Sequence, residues 1–218
     1  MKKILFCMAA CAVLALCMTG CSSQQTFEEG SYSSAGEEVR AVTVDVSDRE
    51  VLIGASADGQ VRIEYSESEK EYYDISLSQE GELTMTLVLD KQWTDFIGTK
   101  PAIEDRTIRL YLPDGLLSSL KVTTTNEEIV LSPLSVAGSV ALDSNGGDVR
   151  FERVLVGTEA SFAAKNGNIA GSLVGGWDDF AISCTVKKGE SNLPESKPGG
   201  EKSLAVDCNN GDIAIEFV

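Results

Sequence analysis

The chain has 218 residues, with 18 basic and 34 acidic side chains, no histidine and a formal net charge of −16 at pH 7. So acidic a surface repels nucleic acid, and we expect no nucleic-acid partner. Without histidine, the Ser-His-Asp and Cys-His classes of enzyme and all histidine-ligated metal sites are excluded. The length allows one or two domains.

The first 21 residues have the features of an export signal. Lys2 and Lys3 are basic, and residues 4–18 are apolar but too short to span a membrane stably. The sequence MTGC at residues 18–21 then resembles the lipobox of bacterial lipoproteins, with Met18 where leucine is usual. This resemblance implies cleavage before Cys21 and attachment of fatty acyl chains such as palmitate to Cys21. A plain secretory signal cut elsewhere is the alternative.

The chain therefore divides into three parts. Residues 1–20 are a lipoprotein signal peptide, and residues 21–38 are the lipidated cysteine with a flexible linker rich in Ser, Gln, Glu and Gly. Residues 39–218 form the folded domain. A protein attached by two or more acyl chains stays on the membrane, so the domain is expected outside the cytoplasm, at the bacterial cell surface or facing the periplasm.

The folded domain begins with segments in which apolar and polar residues alternate. Such alternation predicts β-strands. The predicted strands cover residues 39–46, 51–53, 61–65, 83–89 and 107–113. Val61 and Leu83 are 22 residues apart (83−61), which is similar to the spacing of the later repeats. No amphipathic helix is predicted after the signal.

A turn of the Asn-Gly type recurs in the C-terminal half. The residues after the turns are Ile129, Val149, Ile169 and Ile213, at steps of 20, 20 and 44 (149−129, 169−149, 213−169), the last being two periods of 22. Residues 182–190 are assigned to the missing repeat. Asn and Gly adopt positive φ readily and so favour tight turns, while turns at a fixed period indicate stacking. The sequence predicts an all-β fold, a β-solenoid whose rungs of about 20 residues stack about 4.8 Å apart. An antiparallel sandwich of hairpins is the alternative.

The alternation also predicts which side chains point into the solenoid. They are Val122, Thr124, Leu142, Ser144, Phe162, Ala164, Ile182, Cys184, Val206 and Cys208 before the turns, and Ile129, Leu131, Val149, Phe151, Ile169, Ile213 and Ile215 after them. Cys184 and Cys208 occupy the same position in successive repeats and are expected to stack. In an export compartment they would form a disulfide or remain two buried thiols. The exposed end rungs need covering against edge pairing.

Residues 90–106 interrupt the repeat and are predicted to be a loop on one face of the solenoid. Trp93 and Phe96 in this insertion either contact a partner or pin the loop to the domain. A second long loop, residues 191–202, separates the last two rungs.

Several of these segments resemble one known family. They are IRLYLP at residues 108–113, LKVTT at 120–124, the serial Asn-Gly-Asp-Ile-like turns and NNGDIAIEF at 209–217. Together they resemble the bacterial putative-adhesin domain, a domain of unknown function, over about residues 39–218. The resemblance implies a β-solenoid in an exported or membrane-attached protein and provides no catalytic residues. The absence of Gly at Asn126 and Glu127 affects only the type of that turn.

Two chemical roles can be weighed from the residues. Asp148, Asn168 and Asp212 follow equivalent turns, and such a ladder of oxygens could bind calcium or cap its own turns. Asp178 and Asp179 are adjacent carboxylates, but neighbours on a strand point to opposite faces, which disfavours polysaccharide cleavage by a carboxylate pair. No cofactor is expected.

The sequence therefore predicts a lipid-anchored extracytoplasmic module for binding or scaffolding, with adhesion as one such role and no catalysis. Its partners would be the membrane, through the lipid, and a protein or glycan that the sequence does not identify. An accessory subunit of a membrane sensory or transport complex is the alternative, and a polysaccharide-cleaving enzyme is a less favoured one.

Overall fold

The computed structural model describes residues 25–92 and 100–218, and in these residues the strands form two nine-stranded β-sheets. The first nine strands are β1 (Glu28–Ser34), β2 (Ala41–Asp45), β3 (Glu50–Ala55), β4 (Val61–Glu67), β5 (Glu71–Leu77), β6 (Glu82–Leu89), β7 (Thr107–Leu112), β8 (Ser119–Thr124) and β9 (Ile129–Leu131). The others are β10 (Leu134–Val136), β11 (Ser139–Ser144), β12 (Val149–Val156), β13 (Glu159–Ala164), β14 (Ile169–Leu173), β15 (Phe180–Lys188), β16 (Ser196–Lys197), β17 (Lys202–Asn210) and β18 (Ile213–Phe217). Short 3-10 turns cover Gly36–Glu38, Glu104–Arg106 and Trp177–Asp179.

The repeats stack as parallel rungs, which confirms the predicted β-solenoid. The first sheet has the order β1-β4-β7-β3-β9-β12-β14-β18, with β10 beside β12, and the second has the order β16-β15-β17-β13-β11-β8-β2-β6-β5. Leu142 lies opposite Val122 on one side and Phe162 on the other, so equivalent positions of the repeats form columns. The column continues after the turns, where Val149 pairs with both Ile129 and Ile169.

The core lies between the two sheets. Every residue predicted to point inward is buried. Phe151 of the first sheet stacks on Phe162 of the second, with ring centroids 4.2 Å apart. Burial of each large apolar side chain of this kind contributes about 1.5–3 kcal/mol, so the columns account for the main stabilisation of the stack.

The spatial order of the rungs departs from the chain order near both ends of the stack. β2 lies between β6 and β8, and β3 between β7 and β9. Likewise β17 lies between β13 and β15, so Ile213 pairs directly with Ile169 across a gap of 44 residues (213−169). The repeat at residues 182–190 is therefore the outer neighbour of the last repeat rather than its predecessor in the stack.

The register of β15 differs from the predicted one by two residues. Cys184 lies opposite Val206, and Cys208 lies opposite Val186, so the expectation that the two cysteines share a position is wrong. A shift of two residues keeps every side chain on its own face, so the apolar pattern does not distinguish the two registers. Gly189 does distinguish them, because a Cβ at Gly189 would lie 2.0 Å from the carbonyl oxygen of Gly211. The glycine of the turn therefore sets the register.

Antiparallel strands flank both sheets at one end of the stack and the second sheet at the other end. β4 is antiparallel to β1 and β7, β5 to β6, and β16 to β15. The 22-residue spacing of Val61 and Leu83 therefore does not mark a repeat of the solenoid, since β4 is antiparallel to both of its neighbours. The linker prediction is also wrong from Glu28 onward, because residues 28–34 form β1. The polar composition of β1 suits an edge strand that faces solvent. The ring of Tyr65 lies over Gly30, and a Cβ on Gly30 would come within 2.4 Å of this ring.

The outer edge of β18 is covered by residues 190–192. The Ile213 N–H donates to the Glu190 carbonyl at 2.8 Å, and the Asn192 N–H donates to the Ile213 carbonyl at 3.2 Å. The Asn192 side-chain amide donates to the Ile215 carbonyl at 2.8 Å and accepts from the Ile215 N–H at 3.0 Å. Leu193 beside it is 7% exposed and covers the end of the core. Asn192 therefore imitates a further strand and blocks pairing at this edge.

Among residues 25–92 and 100–218, no helix has the length and apolar character needed to span a membrane.

Candidate functional site

The candidate site is the corner of the solenoid where strands of the second sheet turn into strands of the first. This turn corner comprises residues 46–50, 125–128, 145–148, 165–168 and 209–212. Gly147 and Gly167 of the repeated turns do not have positive φ. Instead, a Cβ on either would lie 2.1–2.2 Å from a carbonyl oxygen of the neighbouring rung. Glycine is required here because the rungs approach closely, which is a different reason from the one the turn motif suggested.

The Asx residues after the glycines link one rung to the next. Asp148 accepts a hydrogen bond from the Asn168 N–H at 2.8 Å, and Asn168 accepts one from the Asp212 N–H at 2.9 Å. Asp212 continues the ladder by accepting from the Glu190 N–H at 2.8 Å. The oxygens considered as calcium ligands are thus hydrogen-bonded to the backbone of adjacent rungs. In the described part of the chain, no group of three or more acidic or cysteine side chains is placed to hold a metal ion.

In the rung formed by β6 and β7, the long insertion replaces the short turn. Residues 90–106 connect the two strands at this corner. Trp93 and Phe96, the predicted contact residues, lie outside the described residues, as does Cys21. The described parts of the insertion are its two stems, which begin at Asp90 and at Lys100.

The first stem is held by a buried charge cluster. The Lys91 ammonium lies 2.6 Å from the Glu71 carboxylate, and Arg49 binds the other carboxylate oxygen at 2.5 Å. Arg49 also donates to the Tyr73 hydroxyl at 2.7 Å. Arg49 is 1% exposed and Glu71 is 2% exposed. Burial alone would raise the pKa of Glu71, but Lys91 and Arg49 outweigh burial and hold the pKa below its usual range.

The second stem is held by another set of ion pairs. Arg106 is buried, binds the Glu127 carboxylate and donates to the Asp48 carbonyl oxygen at 2.9 Å. Lys100 binds the Asp48 carboxylate at 2.9 Å, and the Asn126 amide donates to the same oxygen at 2.5 Å. Burial raises the pKa of Asp48, but the hydrogen bonds from Asn126 and Lys100 and the charges of Lys100 and Arg106 lower it further than burial raises it.

Both stems are therefore fixed at the turn corner by ion pairs. The pairs of Arg49 with Glu71 and of Arg106 with Glu127 are largely buried, whereas Lys100 and Asp48 are exposed. Sequence reasoning found the insertion but missed Arg49 and Glu71. One signal was present: by register, Arg49 occupies the column in which later rungs have Gly147 and Gly167. The rung between them has Glu127 in this column, so the glycines begin at Gly147.

The two cysteines of the domain are buried and unbridged. Cys184 is 5% exposed, and its sulfur lies 3.4 Å from the Ser191 hydroxyl. The Cys208 thiol is 0% exposed and donates to the Gly211 carbonyl at 3.3 Å. Burial raises the pKa of the Cys208 thiol, and nearby acidic side chains raise it further. Such a thiol is a poor nucleophile.

The adjacent acids Asp178 and Asp179 do not act as a pair. Asp179 accepts a hydrogen bond from the Gly176 N–H at 2.8 Å and so stabilises the turn that begins β15. The Asp178 side chain is 97% exposed, with Lys197 at 3.9 Å. One carboxylate is engaged with the backbone and the other is in solvent, so this position lacks the arrangement that a glycosidase needs.

Comparison with known proteins places this geometry in context. The Toastrack DUF4097 family model matches residues 39–216. The solved structure of a putative cell adhesion protein from Clostridium sporogenes ATCC 15579 has a TM-score of 0.66 at 8% identity and covers 88% of this chain and 100% of its own. No curated protein matches the chain significantly.

Two further solved structures match with lower scores. A putative adhesin from Bacteroides fragilis NCTC 9343 has a TM-score of 0.37 at 10% identity, over 88% of this chain and 97% of that one. A putative adhesin from Parabacteroides distasonis ATCC 8503 has a TM-score of 0.30 at 12% identity, over 89% and 98%. At these identities the clostridial structure shows the fold alone.

Proposed function

Because the chain belongs to the Toastrack DUF4097 family, we propose that it is a lipid-anchored extracytoplasmic binding module that works without catalysis. Cys21 carries the lipid, and the insertion at residues 90–106 makes the contact, with Trp93 and Phe96 as its contact residues. The name of the clostridial neighbour, a putative cell adhesion protein, supports this class of function.

The observation that carries the proposal is the way the insertion is held. Burying charges costs free energy, and replacing a buried ion pair by apolar residues is often neutral or stabilising. Arg49 and Glu71 are nevertheless buried directly beneath the first stem, with Lys91 bound to the same carboxylate. In some proteins a buried charge pair is retained because it fixes geometry, and we infer that role for this cluster. A fixed base orders the stems in advance, which reduces the entropic cost of binding through the loop.

Photo-crosslinking in intact cells tests the contact. A photoreactive amino acid is placed at position 93, at position 96 or, as a control, at Leu116, which is 57% exposed in the loop after the opposite end of β7. We expect one discrete adduct from positions 93 and 96 and none from 116. Identical adducts from all three positions, or none from any, would contradict the proposed contact. A captured integral membrane protein of the same cell would favour the accessory-subunit alternative.

The anchor is tested separately with Cys21→Ser. The unchanged protein should partition into the detergent phase, and its intact mass should exceed that of the peptide chain by the attached acyl groups. The variant should be neither acylated nor retained on membranes. Membrane retention by the variant would refute lipidation at Cys21.

A further inference from the structure

Strand β5 is the outermost strand of the second sheet, and among the described strands it pairs with β6 alone. Its register with β6 is unbroken from Glu71 to Leu77, and β5 contains no proline, glycine or lysine. Proteins usually protect a sheet edge with such residues, with a bulge or with a cover. Residues 190–192 provide such a cover at the edge of β18, so the outer edge of β5 differs from it.

Hydrogen bonding shows which backbone groups lie at this edge. The Ser78 N–H donates to the Glu82 carbonyl of β6 at 2.9 Å. Because bonded and non-bonded pairs alternate along an antiparallel ladder, the even-numbered residues of β5 bond to β6, and the backbone groups of the odd-numbered residues point outward. The outward carbonyl of Glu71 accepts from the Ser68 N–H at 2.7 Å. The remaining outward groups, which we call the open edge of β5, belong to Tyr73, Ile75 and Leu77.

The sheet opposite β1 is one strand short. The first sheet continues beyond β7 with β4 and then β1, whereas the second continues beyond β6 with β5 alone. Tyr65 of β4 contacts Tyr73 of β5, with ring centroids 5.0 Å apart, so β4 faces β5. The described residues therefore place no strand opposite β1. Tyr32 of β1 pairs with the buried Ile63 and so points toward this position, where it is half-buried.

Apolar side chains around this position are incompletely covered. Inward side chains in the middle of the stack, such as Leu120 and Leu142, are no more than 1% exposed. In the described residues, seven apolar side chains pack against the core while staying partly exposed, and five of them are in β1, β4, β5 and β6. These five are Tyr32, Tyr65, Ile75, Leu77 and Leu87. A strand added beside β5 would cover this group with every second side chain.

The surroundings of the open edge are acidic. Residues 25–40 and 61–82, which include β1, β4 and β5 with their turns, contain 11 acidic and three basic side chains, a sum of −8 (3−11). The three basic residues are Arg40, Arg62 and Lys70. A basic segment would be attracted to such a surface.

The basic residues of the neighbouring turn corner do not reverse this sign. Arg49 and Lys91 bind Glu71, and Lys100 binds Asp48. Counting these three cations at full charge still leaves a sum of −5 (6−11). A second copy of the chain would bring the same negative charge, so electrostatic repulsion opposes a dimer through this edge.

We propose that the open edge of β5 binds an extended segment of a partner protein in which apolar and basic side chains alternate. The segment adds a strand to the second sheet opposite β1, and its backbone bonds to the outward groups of β5. Its apolar side chains pack against Tyr32, Ile75 and Leu77, and its basic side chains lie on the outer face of the sheet near the exposed Asp74. This contact is separate from the one proposed for positions 93 and 96 and does not depend on the anchor at Cys21.

Amide hydrogen exchange measured by NMR tests the contact. The probe is a short peptide of alternating lysine and valine, added to the full-length protein in a nonionic detergent. The control peptide has the same composition, with all its lysines before its valines. We expect the alternating peptide to slow exchange of the outward Ile75 and Leu77 N–H groups at least about tenfold, with a smaller change at Asp74 and Ser76, which already bond to β6. Added salt should weaken the effect.

A pair of variants separates backbone pairing from side-chain packing. Ile75→Pro removes an outward N–H without removing a bond to β6, and Ile75→Ala keeps that N–H while shortening the side chain. The slowing at Leu77 should be lost in the first variant and retained in the second. If Ile75→Pro loses its folded circular dichroism spectrum, Leu77→Pro and Leu77→Ala replace the pair, with exchange measured at Tyr73.

Three results would overturn the proposal. The alternating peptide might leave exchange at the open edge unchanged, or the control peptide might slow it equally, which would indicate attraction by charge alone. Slow exchange without peptide that is lost on dilution would identify a second copy as the occupant.

Discussion

The substitution Gly167→Ala tests the stacked architecture most directly. A Cβ at this position would lie 2.2 Å from the Gly147 carbonyl oxygen, 2.6 Å from its carbon and 3.0 Å from the Asp148 nitrogen. All three atoms belong to the backbone of the neighbouring rung, so a side-chain rotation cannot relieve the clash. The rungs must separate locally, which weakens the hydrogen bond from the Asn168 N–H to Asp148.

The cost can be worked from these contacts. Overpacking that moves the backbone costs about 3 kcal/mol, and each weakened hydrogen bond costs about 1 kcal/mol. We therefore expect Gly167→Ala to lower the free energy of unfolding by about 3–5 kcal/mol. The matched control is Gly54→Ala in β3, where the nearest atom to a new Cβ is Ser132 Cβ at 3.8 Å. There alanine should be neutral or stabilising by about 0.5–1 kcal/mol, since it restricts the unfolded chain.

Urea titration followed by circular dichroism measures both variants. Suppose the free energy of unfolding of Gly167→Ala is within about 1 kcal/mol of that of the unchanged protein. The close approach of the rungs then does not explain the glycine, and the same argument for the register of β15 fails too.

Four further outcomes are expected. In urea titrations, Glu71→Gln should destabilise the fold by about 3 kcal/mol, because Arg49 and Lys91 lose their buried counter-charge. The control is Glu64→Gln in a half-exposed pair, which should change stability by less than about 0.5 kcal/mol. Equal effects of the two substitutions would contradict the role of burial. The folded-state pKa of Glu71 is lowered. The stability that the ionised Glu71 contributes is therefore complete above the unfolded pKa of about 4.3 and is lost as the pH falls through the lower folded value. Between pH 5 and pH 3, about two units around that pKa, Glu71→Gln should lose less stability than the unchanged protein. Asn192→Ala should increase concentration-dependent light scattering because the backbone groups of Ile215, at the edge of β18, lose their hydrogen-bond partner. Unchanged scattering at high concentration would contradict a protective role for the Asn192 side chain. The Cys208 thiol, buried and with a raised pKa, should react with an aromatic disulfide reagent only after unfolding, and rapid labelling of folded protein would refute its burial.

The parts of the fold that could be predicted from the sequence depend on local alternation and on a repeated turn. The columns through Leu142 and Val149 follow from a period of two in each strand and of about 20 between rungs. The register of β15 could not be derived in this way, because a two-residue shift leaves the apolar pattern unchanged. The packing of Gly189 against Gly211 decides it, and that contact becomes visible only when two rungs are in place.

The candidate site was predicted less completely than the fold. The break in the 20-residue period located the insertion, because a connection of unusual length can be recognised in the sequence without knowing which residues are in contact. Arg49, in the turn before β3, and Glu71, at the start of β5, are 22 residues apart and meet only after the second sheet forms. In the sequence, each resembles an ordinary surface charge. The antiparallel direction of β4 was missed for a similar reason, since strand direction depends on partners and not on composition.

The insertion of β2 and β3 between later rungs bears on how the protein folds. Asp48 hydrogen-bonds to Thr125, 77 residues further along the chain, and among the described strands β2 pairs with β6 and β8. A polypeptide that emerges with its N-terminus first delivers β2 and β3 before any of their partners. These two strands stay unpaired until about residue 131 has emerged, and the centre of the stack then assembles at once.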